Sequence, residues 1–108
     1  MDKYMFLFRG PTPDAAEREA HMQKWMAWLK ELSDAGRVTG GHPLRSGGKM
    51  VVGVEKAVSD RILSDDGVSG YMVITAEDID EAARLATSCP VFEVGGSVEV
   101  REIMPMGM

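Results

Sequence analysis

Few side chains in this 108-residue sequence can move a proton near neutral pH: two histidines, His21 and His42, and a single cysteine, Cys89. His21 stands in a stretch where Met22, Trp25, Met26, Leu29 and Leu32 recur at helical spacing. At 100° per residue it falls about 60° from the centre of that stripe, on the side of Trp25 and Trp28. An imidazole at the edge of an apolar face can line a cleft and exchange protons there. It can equally be a boundary histidine satisfied by water or one carboxylate. Trp25 and Trp28 suit a pocket wall or, as large amphipathic rings, a core or interface. Arg9 ends an apolar run beside Gly10-Pro11, where its guanidinium can grip an anionic substrate or be held by solvent or an ion pair. His42 has no second histidine or carboxylate at a fixed ligand spacing, so no metal site is expected. Gly40-Gly41 and Gly95-Gly96 lack the strand-to-helix setting of a phosphate loop and read as bulges or close backbone approaches. Cys89 precedes Pro90 with no local base and reads as a buried thiol.

The elements that must position these groups follow from periodicity. Tyr4-Met5-Phe6-Leu7-Phe8 is apolar without alternation, as a strand covered on both faces is. Arg9 to Pro13 breaks it. Asp14 as N-cap with Glu17 three residues on predicts a helix that carries its stripe from Ala16 to Leu32 and stops at Gly36. Residues 38–44 and 49–54 read as two short strands that pair through the glycine turn at 45–48. Residues 55–67 read as the longest loop, with Val58, Ile62 and Leu63 its only apolar anchor. A second continuous apolar run, Tyr71 to Ile74, precedes a helix with Ile79, Ala82, Ala83, Leu85 and Ala86 as its stripe, ending near Cys89-Pro90. Ser97 to Arg101 alternates as an edge strand does. The tail from Met104 to Met108 is expected to fray.

This order predicts one α+β domain over residues 1–108 with a ferredoxin-like, split βαβ antiparallel sheet. Two helices cover one sheet face, yet the first strand is apolar on both: Tyr4, Phe6 and Phe8 on one side, Met5 and Leu7 on the other. A second copy stacked on the open face under twofold symmetry would cover it, which predicts a homodimer of the dimeric α/β-barrel type.

Composition narrows the function classes. Hydrophobic residues make up 44% and charged residues 27%, as in a globular chain. Twelve basic against seventeen acidic residues leave a net charge of −5, which repels polyanions and disfavours nucleic acid as a partner. One cysteine rules out an intrachain disulfide and a multi-cysteine zinc site and fits a reducing compartment. The apolar run of five at the N-terminus is far short of a signal core or a membrane span, so a cytoplasmic protein is expected, with no membrane association and no cofactor.

Five pieces of the sequence together resemble the YCII-related (DGPF-type) family: Lys3 to Leu7, His21 to Met26, Gly40-Gly41-His42-Pro43-Leu44, Gly70-Tyr71, and Cys89-Pro90 with Gly95 to Arg101. The match runs in order across nearly the whole chain. The resemblance implies the dimeric ferredoxin-like barrel and a general acid/base pair, a helix histidine with a motif aspartate, which map onto His21 and Asp60. Arg9, Trp25 and Trp28 are then the candidate substrate contacts. It implies a small cofactor-independent enzyme of lyase or elimination type acting on a small organic molecule. It also leaves open a non-catalytic binding or regulatory module associated with alternative sigma factors, or a domain whose output is dimerisation. One departure bears on this. Where the family branch carries Asp-Gly-Pro-Phe, this chain reads Asp60-Arg61-Ile62-Leu63, then Ser64-Asp65-Asp66-Gly67. The aspartate is kept, but the glycine and proline that shape the turn are not.

Overall fold

The computed structural model describes residues 1–11, 13–45, 47–60 and 67–106. The chain runs β1 (Asp2–Arg9), α1 (Arg18–Asp34), β2 (Val38–Pro43), β3 (Met50–Val52), β4 (Ala57–Ser59), β5 (Val68–Ala76), α2 (Ile79–Ala86), a 3-10 turn (Pro90–Val94) and β6 (Ser97–Glu102). Four strands form an antiparallel sheet in the order β2-β5-β1-β6, and β3 and β4 form a separate two-stranded sheet. Leaving β3 and β4 aside, this is the ferredoxin-like order that the sequence predicts, with the two continuous apolar runs as the central strands.

The strand pattern explains the core. Tyr4, Phe6 and Phe8 of β1 and Met72, Ile74 and Ala76 of β5 point to the helix side and are buried, while Met5 and Leu7 between them stay half-buried on the other side. Trp28 and Leu32 of α1, Ala82 and Ala86 of α2, and Cys89 and Val91 close the same core. The rings form a connected cluster: Phe6 stacks on Trp28 at 6.4 Å, and Phe8 meets Trp25 and Trp28 edge-on at 5.0 and 6.0 Å. Pairs in such geometries add roughly 0.5–1.5 kcal/mol each beyond the area they bury.

Three expectations need correction. Asp14 does not cap α1; its carbonyl accepts from the N–H of Glu17 in a preceding turn, and the helix begins at Arg18. The buried face of α1 is also set differently. Met22 and Met26 are 58% and 61% exposed, and the inward line is His21, Trp25, Trp28 and Leu32, spaced four, three and four residues apart. Flexible methionines at the rim cost little when exposed, whereas Trp28 finds a slot against Phe6 and Phe8 that holds its whole ring.

The hairpin expected between residues 38–44 and 49–54 does not form either. β2 pairs with β5, and β3 pairs with β4, a strand inside the segment that reads as loop. Gly41 gives the reason. Its φ is +150°, and a Cβ there would stand 2.6 Å from the carbonyl oxygen of Tyr71 and 2.8 Å from the Cα of Met72. Gly41 thus lets β2 press against β5, and the tight turn at Gly53–Lys56, with φ of +79° and +56° at its ends, folds β3 onto β4 instead.

Gly96 is the second close approach: its Cβ would lie 2.4 Å from the carbonyl oxygen of Arg9 and 2.5 Å from Val91 Cγ2. Arg37 ties the end of β5 to α2, donating to the Thr75 carbonyl at 3.2 Å and to Glu81 Oε1 at 2.6 Å. Glu81 also accepts from the backbone N–H of Glu77, and this bond first and Arg37 second hold its carboxyl below the usual carboxylate range. Arg101 and then Arg9 do the same for Glu99. A carboxyl depressed by folding stabilises the native state above its unfolded value and loses that contribution as the pH falls through the folded one. The urea midpoint is therefore expected to fall as the pH drops below the ordinary carboxyl value of 4.5. In Glu81→Gln the fall should be shallower; an unchanged slope would show that the Arg37 link contributes nothing to acid sensitivity.

Candidate functional site

His21 lies on the first full turn of α1, half-buried, with its backbone N–H bonded to the Glu17 carbonyl. It occupies the inward line of the helix one turn before Trp25 and stays partly exposed. One turn further on, the indole Nε1–H of Trp25 donates to His21 Nε2 at 2.9 Å, with the two rings at 73° and 6.3 Å between centroids. Trp25 is itself held edge-on between Phe8 at 5.0 Å and Trp28 at 5.6 Å. A donor on Nε2 leaves that nitrogen as the acceptor, so the neutral ring carries its proton on Nδ1. The resting imidazole thus presents an N–H from Nδ1, and its Nε2 lone pair becomes a base only when the indole turns away.

Of the other sequence candidates, Arg9 and Asp60 are engaged by charged partners of their own. Arg9 follows Phe8 and so projects from the opposite sheet face, where its Nη1 meets Glu99 Oε1 at 2.7 Å. Glu99 in turn accepts from Arg101 at 3.0 Å. Asp60 stands at the base of the β3–β4 hairpin with its side chain 85% exposed and ion-paired with Lys49. Among the described hydrogen bonds and ion pairs none joins Asp60 to His21. The altered motif residues 61–66 lie outside the described residues. Trp28 is buried, and its indole N–H donates to Ser88 Oγ at 3.2 Å. The structure therefore brings His21 and Trp25 together, places Trp28 behind them, and leaves Arg9 and Asp60 elsewhere. His42 lies on the open sheet face, edge-on to Tyr71 at 5.9 Å. Among the described residues no three His, Cys, Asp or Glu side chains gather as metal ligands.

A shallow groove of about 500 Å³ runs between α1 and the segment after α2, walled by Trp28, Cys89 and Phe92, with Lys24 and Glu93 among its polar lining. The Lys24–Glu93 ion pair at 2.8 Å joins the α1 wall to the 3-10 turn. No local pattern signals this groove, because its walls come from two segments some sixty residues apart. Cys89 is 3% exposed, and burial pushes its thiol up to about 11. It should react with a thiol-specific disulfide reagent at pH 8 only at the rate of unfolding, so that urea speeds the reaction by orders of magnitude. Fast stoichiometric labelling of the native protein would contradict this placement.

No helix among the described residues is long and apolar enough to cross a membrane. The sequence matches no curated protein. The structure is similar to the 5-chloro-2-hydroxyhydroquinone dehydrochlorinase of Burkholderia phenoliruptrix, solved in complex with 2,5-dihydroxybenzoquinone. The TM-score is 0.62 with 15% identity, covering 94% of this chain and 93% of that one. At that identity the likeness speaks for the fold. The family model for the YCII-related domain matches residues 3–107, and the chain belongs to that family.

Proposed function

We propose that this protein binds a small oxygenated organic molecule beside His21 and acts on it by proton transfer, without a cofactor, as a homodimer in the cytoplasm. The observation that carries the reading is the 2.9 Å bond from Trp25 Nε1 to His21 Nε2. It orients the imidazole and fixes its tautomer, as a positioned catalytic or binding histidine requires, and it does so at a half-open position backed by aromatic rings. The Nδ1–H can polarise a substrate carbonyl or hydroxyl oxygen. In an elimination, a base removes a proton from the substrate while the leaving group departs with its bonding electrons; His21 takes up that proton at Nε2 once the indole swings aside, then returns it to solvent. Asp60 has no part in this resting arrangement, since its carboxylate is engaged with Lys49 in the open.

The fold likeness to a dehydrochlorinase suggests oxygenated six-membered rings as the first substrate class to try. The chain has only two tryptophans, so its two indole N–H resonances report separately on the Trp25 and Trp28 positions. Titration with 2,5-dihydroxybenzoquinone should shift the Trp25 indole signal saturably while leaving that of Trp28 nearly in place. A response absent at millimolar ligand, or one that is identical in His21→Ala, would defeat the reading for this substrate class. Saturable binding without turnover of ring-halogenated analogues would reduce it to a binding module.

A further inference from the structure

Besides the covered core, the chain carries two apolar surfaces that no other described residue covers. One is the open face of the main sheet, where Met5 and Leu7 of β1 and Tyr71 and Val73 of β5 lie side by side in register. The other is the β3–β4 hairpin. It belongs to no larger sheet, and its Met50, Val51, Val52, Val54 and Val58 are 40%, 63%, 55%, 94% and 65% exposed. A lone hairpin with strands of three residues is not stable in water, so it must find a surface to lie on. Its register makes it apolar on both sides: Val51 opposes Val58 on one, and Met50 and Val52 with Ala57 lie on the other. A flap that covers its own domain needs one apolar side; a hairpin with two fits between layers.

We propose that this hairpin is a clasp that reaches onto a second copy of the same chain, where it is buried beside the stacked open faces. This inference rests on the homodimer reading given above. Three observations favour a second copy as the occupant. Under twofold symmetry each chain supplies both an arm and an apolar face, so both excesses are removed without any third component. The sheet face alone is too small. Four strands about 4.8 Å apart and about 20 Å long project roughly 400 Å², about half of the ~800 Å² per partner of a standard stable interface. The hairpin supplies the missing area. Finally, the hairpin follows β2, an edge strand, and twisted sheets stacked face to face part at their corners, leaving a gap there that a two-sided hairpin can fill. The shape agrees: the chain measures 48 × 45 × 19 Å with a radius of gyration of 15.5 Å, against about 13 Å for a compact chain of this length.

Two measurements test the clasp. Sedimentation of the full chain should give a dimer at micromolar concentration, and Val51→Lys with Val58→Lys should raise its dissociation constant at least 100-fold while the circular dichroism spectrum stays that of the parent. A photo-crosslinker at the tip, replacing Val54, should join light to heavy chains in an isotopically mixed sample, with the partner peptide drawn from β1, β2 or β5. The crosslink decides the matter should the double variant misfold. A dimer of unchanged affinity, or a tip that crosslinks only within its own chain, overturns the clasp while leaving the homodimer standing. A monomeric parent overturns both.

Discussion

Phe6→Ala is expected to lower the unfolding free energy by about 3–5 kcal/mol, the range for deleting a fully buried aromatic ring. Phe6 has no exposed surface and sits at the centre of the cluster, T-shaped against Phe8 at 6.2 Å and stacked on Trp28. Removing it takes away the ring's transfer energy, two aromatic contacts and the support of a central strand. The void cannot collapse easily, because β1 is held on both sides by β5 and β6. Against a typical total of about 5–15 kcal/mol the loss is large enough that part of the variant should be unfolded at 37 °C. Urea unfolding followed by tryptophan fluorescence measures it. The control is Met22→Ala, where 58% exposure leads to a change within about 0.5 kcal/mol. If Met22→Ala proved as costly as Leu32→Ala, the rotational setting of α1 described above would be wrong.

His21→Ala is expected to reduce turnover of a responsive substrate by about 10²–10⁴-fold, the usual contribution of a positioned acid/base group, with little change in stability. Its side chain is half-buried and its one hydrogen bond is to an indole that can find water instead. Trp25→Phe is the informative companion. It keeps the aromatic wall but removes the donor on Nε2, freeing that lone pair and releasing the tautomer. Turnover that depends on the oriented Nδ1–H should then fall with KM largely kept, whereas turnover limited by opening of the indole should rise. Asp60→Asn should change little, since its carboxylate is solvated and paired with Lys49. A loss in Asp60→Asn equal to that of His21→Ala would show that the hairpin base moves to the imidazole during the reaction, and would restore the paired His21–Asp60 chemistry that the family resemblance implies.

The reach of sequence reading is clearest where one local pattern has one physical solution. Tyr4 to Phe8 and Tyr71 to Ile74 could only be central strands, because a run apolar at every position must be covered on both faces, and they pair directly in the structure. The alternation of Ser97 to Arg101 gives the edge strand, and the order of elements gives the ferredoxin-like sheet. Helical spacing also sets His21 on the side of Trp25, and the two rings do meet, although the stripe it is measured against is not the buried face.

What tertiary structure alone decided is which of several locally acceptable options won. Either methionines or tryptophans could form the inner line of α1, and the choice fell to the slot between Phe6 and Phe8 that accepts a whole indole. The glycines at 40–41 could have served a hairpin, but Gly41 is needed where β2 meets the Tyr71 carbonyl across the sheet. Arg9 and Phe8 are adjacent in sequence, yet strand alternation sends one to Glu99 and the other to Trp25, on opposite faces. The orientation of His21 follows from an indole whose own position is set by Phe8 and Trp28. It depends on contacts between β1 and α1, which no periodicity within either segment encodes.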